Sequence, residues 1–533
     1  MKRKILFLIF SFLGHSLSAE IEMPQIFSDN MILQQNQEIP VWGWSEPGDK
    51  IRVQFQSQNI ESIANKMGKW MVRMSSVEAT YEPQSMTIQN ESESIEIKNI
   101  LIGEVWLCSG QSNMSYTMQA SSKKPRNPEF TPITDSIKNE IITAQDPYLR
   151  QIHIPNNNSI SEKKKNFDAS WLESSPKTNP AFTATGYYFA KELRRELKVP
   201  VGLIKCAWGG TRVQPWIPSE GYLENETFSQ YYHTEIKKAQ EEQSKLDPQK
   251  MVAFNKQIEA EKDPIKKKQW IKKRPKAPIT SNRLPTTIFN GMVHPIIPYA
   301  IKGTLWYQGE ANRSHLPEQY KDYLTTLISS WRALWGQGDF PFYIAQLANF
   351  QTVNRQPVEE DLWATVCNQQ RLTLELKNAG LAVLNDIGEA EDIHPRNKID
   401  VGKRLSLWAL AKAYNQKDLV YSGPLYKESE FNGQNVVIHF DSVGSGLMVG
   451  KRYLHQKTVP IQSEVQGFQI CGKDRQWKWA QAILSSKNTV TVFHPEVQEP
   501  IEVRYAWSSN PPEINLYNKE GLPTSIFSTK TTQ

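Results

Sequence analysis

Five consecutive residues, Ser109, Gly110, Gln111, Ser112 and Asn113, follow the apolar run Val105, Trp106, Leu107 and Cys108. Such a run reads as a short strand buried on both faces. Gly110 lets the backbone turn sharply, which leaves Ser112 just past the strand's end. In open α/β sheets, ligands bind outside the carboxyl ends of the strands. A serine hydroxyl there becomes a nucleophile when a base lies within hydrogen-bond reach.

Nine histidines are available, of which His15 falls at the extreme N-terminus. His153, His294, His315 and His394 lie near loop signals in the central part of the chain. His394 is the best placed, because it follows the strand pattern Leu381-Ala-Val-Leu384 and has Glu391 and Asp392 beside it to orient its ring. His294 sits inside Gly291-Met-Val-His-Pro-Ile-Ile297, a packing pattern with no nearby acid.

Two further strand patterns end in polar groups. Val201 to Trp208 runs into Gly209, Gly210 and Thr211, and paired glycines allow backbone N–H groups close to a ligand. Ile301 to Tyr307 runs into Gln308, Gly309, Glu310, Ala311 and Asn312, where an amide side chain can donate to an oxyanion.

The elements that must position these groups alternate strand and helix, which predicts a parallel sheet covered by helices. Tyr188, Phe189, Leu193 and Leu197 recur at helical spacing within 185–197 and are stopped by Pro200. Tyr320, Tyr323, Leu324, Leu327, Ile328, Trp331 and Trp335 form a second stripe, which reads as core. Phe342 to Leu347 reads as a further strand, and a helix is expected from about Lys398. A charged, helix-prone insertion is expected over about 220–283, broken at Asp247-Pro248 and Asp263-Pro264. Its basic run, Lys266, Lys267, Lys268, Lys272, Lys273 and Arg274, reads as a solvated face.

On either side the pattern changes to alternating strands. Ile51, Val53 and Phe55, then Trp70, Val72 and Met74, predict a β-sandwich-like module over 20–98. The runs Val436 to Phe440, Val490 to Phe493 and Ile501 to Tyr505 predict a β-rich module over 418–533. The central domain then occupies 99–417. Lys2, Arg3 and Lys4 before the apolar run Ile5 to Leu13, with Leu17-Ser-Ala19 behind it, read as a signal peptide over 1–19. A periplasmic or secreted protein without a membrane span is expected.

The formal charge is +6, half of it in Lys2, Arg3 and Lys4, which argues against a nucleic-acid partner. Cys108, Cys206, Cys367 and Cys471 lack paired spacing, so neither a disulfide framework nor a zinc site is indicated. No metal and no cofactor are expected.

Taken together, Ser109-Gly-Gln-Ser-Asn-Met114, Trp208-Gly-Gly-Thr211, Trp306-Tyr-Gln-Gly-Glu-Ala-Asn312 and Asp392-Ile-His-Pro395 resemble the blocks of sialate O-acetylesterases, which are SGNH-type hydrolases. Phe27-Ser-Asp-Asn-Met-Ile-Leu33 with Val41-Trp-Gly-Trp44, and Tyr505-Ala-Trp-Ser-Ser-Asn510 with Asn515 to Pro523, resemble the family's two ends. The resemblance implies a flavodoxin-like three-layer α/β/α sandwich flanked by small all-β modules. It implies a serine esterase acting on acetylated sialic acid, with Ser112 as nucleophile and His394 as base, the oxyanion being held by the N–H groups of Ser112 and Gly210 with the side chain of Gln308 or Asn312. SGNH hydrolases place an aspartate three residues before the histidine, where this chain has Glu391. The acid is therefore Asp392, Glu391 or, in a Ser–His dyad, a backbone carbonyl. A sialic acid carboxylate needs a fixed cation, and Arg212 or Arg396 suits it, with Trp216 near Arg212 to cover a sugar face. Alternative readings are an acetylesterase for xylan or pectin and a catalytically inactive glycan-binding protein.

Overall fold

The computed structural model describes residues 20–273 and 281–530. The signal peptide expected over 1–19 and Arg274 of the basic run lie outside the described residues. Among the described residues no helix is long and apolar enough to cross a membrane.

The central sheet is built on one long strand, β1 (Ser94–Gly110). Its first residues alternate exposed and buried, while Leu101 to Gly110 are buried without a break. The change marks where the strand passes from a half-solvated sheet into one covered on both faces. Its start pairs with Thr80–Gln89 of the N-terminal module, and its end pairs with the central strands. The expected boundary after residue 98 thus falls inside a single continuous strand.

The central strands are β2 (Asp146–His153), β3 (Val201–Ala207), β4 (Gly303–Tyr307), β5 (Phe342–Ala345) and β6 (Ala379–Ala382). Their spatial order is β2-β3-β1-β4-β5-β6, all parallel, with the short antiparallel strand Leu172–Ser174 at the β2 edge. β2 is not evident from the sequence pattern, because its apolar positions are interrupted by Arg150 and Gln151. Both are buried, and Arg150 donates to Asn30 and Asn99 carbonyls at 3.0 and 2.6 Å.

The helices that matter here are α1 (Ser112–Ser115), α2 (Ala184–Leu197), α3 (Glu226–Ser244), α4 (Pro248–Ala260), α5 (Pro264–Lys273), α6 (Tyr320–Trp335), α7 (Leu362–Leu372) and α8 (Lys398–Trp408). Trp106 of β1 meets Phe189 of α2 and Tyr343 of β5, and Tyr343 meets Trp408 of α8. Trp306 of β4 and Phe342 of β5 instead meet Trp331 of α6. Neighbouring residues of β5 therefore serve opposite faces, and helices cover both. A phenyl side chain buried as Phe189 and Phe342 are stabilises the fold by roughly 1.5–3 kcal/mol. The stripe predicted on α6 is buried at every position.

α3, α4 and α5 form the insertion. Asp247 caps α4 by accepting from the N–H of Gln249, and Pro248 and Pro264 open their helices, where a missing N–H costs nothing. At its foot, Phe228 stacks on Tyr323 of α6. The C-terminal module contains sheets of four, three and four strands.

Candidate active site

Ala207 and Tyr307 both pair with Gly110, so β3, β1 and β4 end level. Because the strands are parallel, their polar continuations emerge along one edge. Gly110 has φ +132°, and a β-carbon on it would lie 2.2 Å from the Tyr307 carbonyl oxygen. Only glycine fits this turn. Gln111 then ties the strand ends together: its N–H donates to Tyr307 O at 2.9 Å, and its Oε1 accepts from the Ala311 N–H at 3.2 Å.

Ser112 opens α1 and is partly exposed. A β-carbon added to Gly209 would sit 3.3 Å from Ser112 Cβ, so the glycine pair passes directly against the serine. Gly210, at φ +75°, is exposed. Among the described residues, neither the Ser112 nor the Gly210 N–H meets a protein acceptor.

The His394 loop is tied to the same turn. Asn113 Nδ2 donates to Ile393 O at 3.0 Å, and the His394 ring stacks on Tyr116, with centroids 5.0 Å apart and planes 8° apart. Asp392 Oδ1 accepts the His394 backbone N–H at 3.0 Å and lies 3.6 Å from Nδ1. Its other oxygen pairs with Arg396 at 3.2 Å, and Arg396 also donates to the Tyr116 hydroxyl. Glu391 is exposed, and among the described residues its carbonyl, not its carboxylate, is engaged, by Arg126 at 2.5 Å. Asp392 is therefore the carboxylate beside the ring. Burial, reinforced by the Lys398 ammonium and opposed by Asp392, holds the His394 imidazole below its ordinary value of 6.5. At neutral pH the ring is in its basic form.

The amides at the end of β4 are buried and engaged. Gln308 Nε2 has Asn312 Oδ1 at 2.8 Å and both Gln111 Oε1 and Thr211 O at 3.2 Å. Asn312 Nδ2 donates to Gln214 Oε1 at 3.2 Å, while its Oδ1 also accepts the Val213 N–H at 3.0 Å. In this arrangement both side chains brace the loop that carries Gly209 and Gly210, and neither presents a free donor to the edge. Trp216 is fully buried, edge-on to Trp306, with its N–H on Thr211 Oγ1 at 3.1 Å. It has no open face for a sugar, so that expectation is corrected: its role is core packing. Arg396, the other cation considered, is buried against Asp392 and Tyr116. Arg212 is half-buried, and among the described residues its guanidinium has no ion pair or hydrogen bond. Tyr231, Arg283 and Glu235 are its electrostatic neighbours.

The other histidines are placed elsewhere. His294 Nδ1 lies 2.8 Å from Lys164 O, a packing role as read from the sequence. His315 Nε2 lies 3.0 Å from the Tyr231 hydroxyl at the foot of the insertion.

Sequence reasoning missed three residues. Asn113, buried, also donates to Glu310 Oε1 at 2.5 Å, and its Oδ1 accepts from Lys398 Nζ at 2.6 Å. Burial raises the Glu310 carboxyl and lowers the Lys398 ammonium to about 7. Asn113 and Glu310 stand inside the motifs read for chemistry, which was the available signal. Lys398 carried none, because a lysine at a helix start ordinarily faces water. The C-terminal module also reaches this edge: Asn510 bonds to Asn349 at 2.9 Å and to Gln351 O at 2.6 Å, and Gln351 donates to Ala390 O at 3.0 Å. Among the described residues, no cluster of histidine, cysteine, aspartate or glutamate is arranged to hold a metal ion.

Residues 102–260 and 266–410 match the family described as carbohydrate esterase, sialic acid-specific acetylesterase. The chain belongs to this family. It is accordingly a carboxylic ester hydrolase. The sialate O-acetylesterases of Mus musculus and Homo sapiens are 24% and 23% identical over 96% and 94% of this chain, and over 93% and 91% of theirs. The crystal structure of a carbohydrate acetylesterase from Xanthomonas citri is 32% identical, covers 96% of this esterase and all of that chain, and superposes with a TM-score of 0.77.

Proposed function

We propose that this esterase removes O-acetyl groups from sialic acid through an acetyl-serine intermediate. Ser112 Oγ attacks the acetyl carbonyl while His394 Nε2 takes its proton, Nδ1 being the nitrogen turned to Asp392. The N–H groups of Ser112 and Gly210 stabilise the oxyanion. Collapse of the intermediate releases the sugar hydroxyl with the proton held by His394, and water then hydrolyses the acetyl-serine by the same route in reverse. Gln308 and Asn312 support this hole from beneath. Arg212 takes the sialic acid carboxylate.

The observation that carries this reading is the convergence at the sheet edge of Ser112, Gly209 and the His394 loop. The strand order β3-β1-β4-β5-β6 supports the flavodoxin-like SGNH assignment, with β2 added beyond β3. The division into modules at about 98 and 417 and export directed by residues 1–19 belong to the same proposal; sequencing the mature N-terminus from fractionated cells tests the latter.

A second reading, an esterase for other acetylated carbohydrates such as xylan or pectin, is favoured by the greater identity to the Xanthomonas citri carbohydrate acetylesterase. Acetate release from a panel of O-acetylated sialosides and xylans decides between them. Turnover confined to the xylans would overturn the sialic acid proposal.

A further inference from the structure

Lys398 is fully buried at the start of α8, with its Nζ 2.6 Å from Asn113 Oδ1 and 2.8 Å from Pro395 O. Asn113 is the residue after Ser112, and Pro395 is the residue after His394. One ammonium thus grips the immediate neighbours of both groups that must meet during catalysis. The opposite side of Asn113 is fixed by Glu310 at the end of β4 and by the Ile393 carbonyl. Tyr116 and Tyr307 place their rings 5.4 and 5.5 Å from the ammonium, so a cation can be held there without a directly bonded carboxylate.

We propose that Lys398 is a positioning residue: through Asn113 and Pro395 it joins the nucleophile's turn to the histidine's loop and fixes the Ser112–His394 approach. The proposal rests on Ser112 and His394 being the reacting pair. Misplacement by about 1 Å can cost on the order of a hundredfold in rate; the Asn113–Ile393 hydrogen bond and the Tyr116–His394 stack join the same two segments, and Lys398 adds the tie to residue 395 on the far side of His394. The charge has a second effect. The groups acting on His394 are Lys398 and Arg396, which disfavour its protonation, and Asp392, which favours it, with the Tyr116 ring stacked on its face. Around Lys398 itself stand Glu310, Glu389, Asp392 and Arg396. Removing the ammonium takes away the larger of the two cationic influences on the imidazole.

The test uses the full chain and an aryl acetate, with wild type and Ser112→Ala measured alongside. Lys398→Met keeps the stem and removes the charge. It should lower kcat by about tenfold or more with KM little changed, and move the acid limb of the kcat/KM profile to higher pH. Asn113→Ser removes this link together with the Asn113 bonds to Glu310 and Ile393 while leaving the ammonium, and should lower kcat without moving the limb. Wild-type kcat in folded Lys398→Met, or a loss of melting temperature with an unmoved acid limb, would overturn the proposal. Should Lys398→Met fail to fold, Asn113→Ser decides: unchanged kcat there overturns it. If Ser112→Ala itself retains activity, the failure belongs to the reading of the reacting pair and not to Lys398.

Discussion

Asn113 Nδ2 donates to Glu310 Oε1 at 2.5 Å, joining the turn after β1 to the end of β4 across 197 residues of chain. Both groups are buried, and burial raises the Glu310 carboxyl. Replacing Glu310 with Leu strands the Asn113 amide and should cost roughly 1–3 kcal/mol of stability in urea unfolding. Glu310→Gln keeps an acceptor and should lose much less. Equal stability of the two variants would show that the contact contributes nothing.

Ser112→Ala should abolish turnover of an aryl acetate while leaving the melting temperature near wild type, because among the described residues the hydroxyl has no hydrogen-bond partner. Substantial residual hydrolysis would exclude this nucleophile.

The His394 imidazole is held below 6.5, so its basic form persists as pH falls through that value. Loss of activity on acidification follows protonation of the base. The acid limb of kcat/KM should therefore have its midpoint below pH 6.5, and a midpoint above it would contradict the burial argument. The stability sign agrees: a depressed histidine pKa means the unfolded chain binds the proton more readily, so the His394 contribution is present above 6.5 and declines as pH falls toward the folded value.

Gln308 and Asn312 brace the glycine loop from inside the protein, unlike the donors expected from sequence alone. Gln308→Ala and Asn312→Ala should each lower stability by about 1–3 kcal/mol, since each leaves buried partners unpaired, and activity should fall with it. A loss of kcat of order 10²–10³ with no change in unfolding midpoint would instead mark the side chain as an oxyanion donor.

Arg212→Ala should reduce kcat/KM on an acetylated sialic acid by about tenfold or more while sparing a neutral aryl acetate, because a charge-assisted hydrogen bond is worth roughly 1.5–3 kcal/mol. Equal losses on both substrates would assign Arg212 to loop support.

What the sequence by itself determined is the set of elements and the polar groups at their ends. Period-3.6 stripes fixed α2 and α6, alternation fixed the flanking strands, and the abrupt change after Cys108 located Ser112, because burial imposes these patterns on neighbouring residues. Only the tertiary structure decided how the ends meet. The level register of β3, β1 and β4 brings Gly209 against Ser112. Asp392, not Glu391, faces His394 because the loop turns the Glu391 side chain to solvent. Trp216 was assigned to a sugar and belongs to the core, since its exposure depends on α6 packing from elsewhere in the chain. The Asn113–Lys398 link left no trace in sequence for the same reason: hydrogen bonds between residues 285 apart obey no local period.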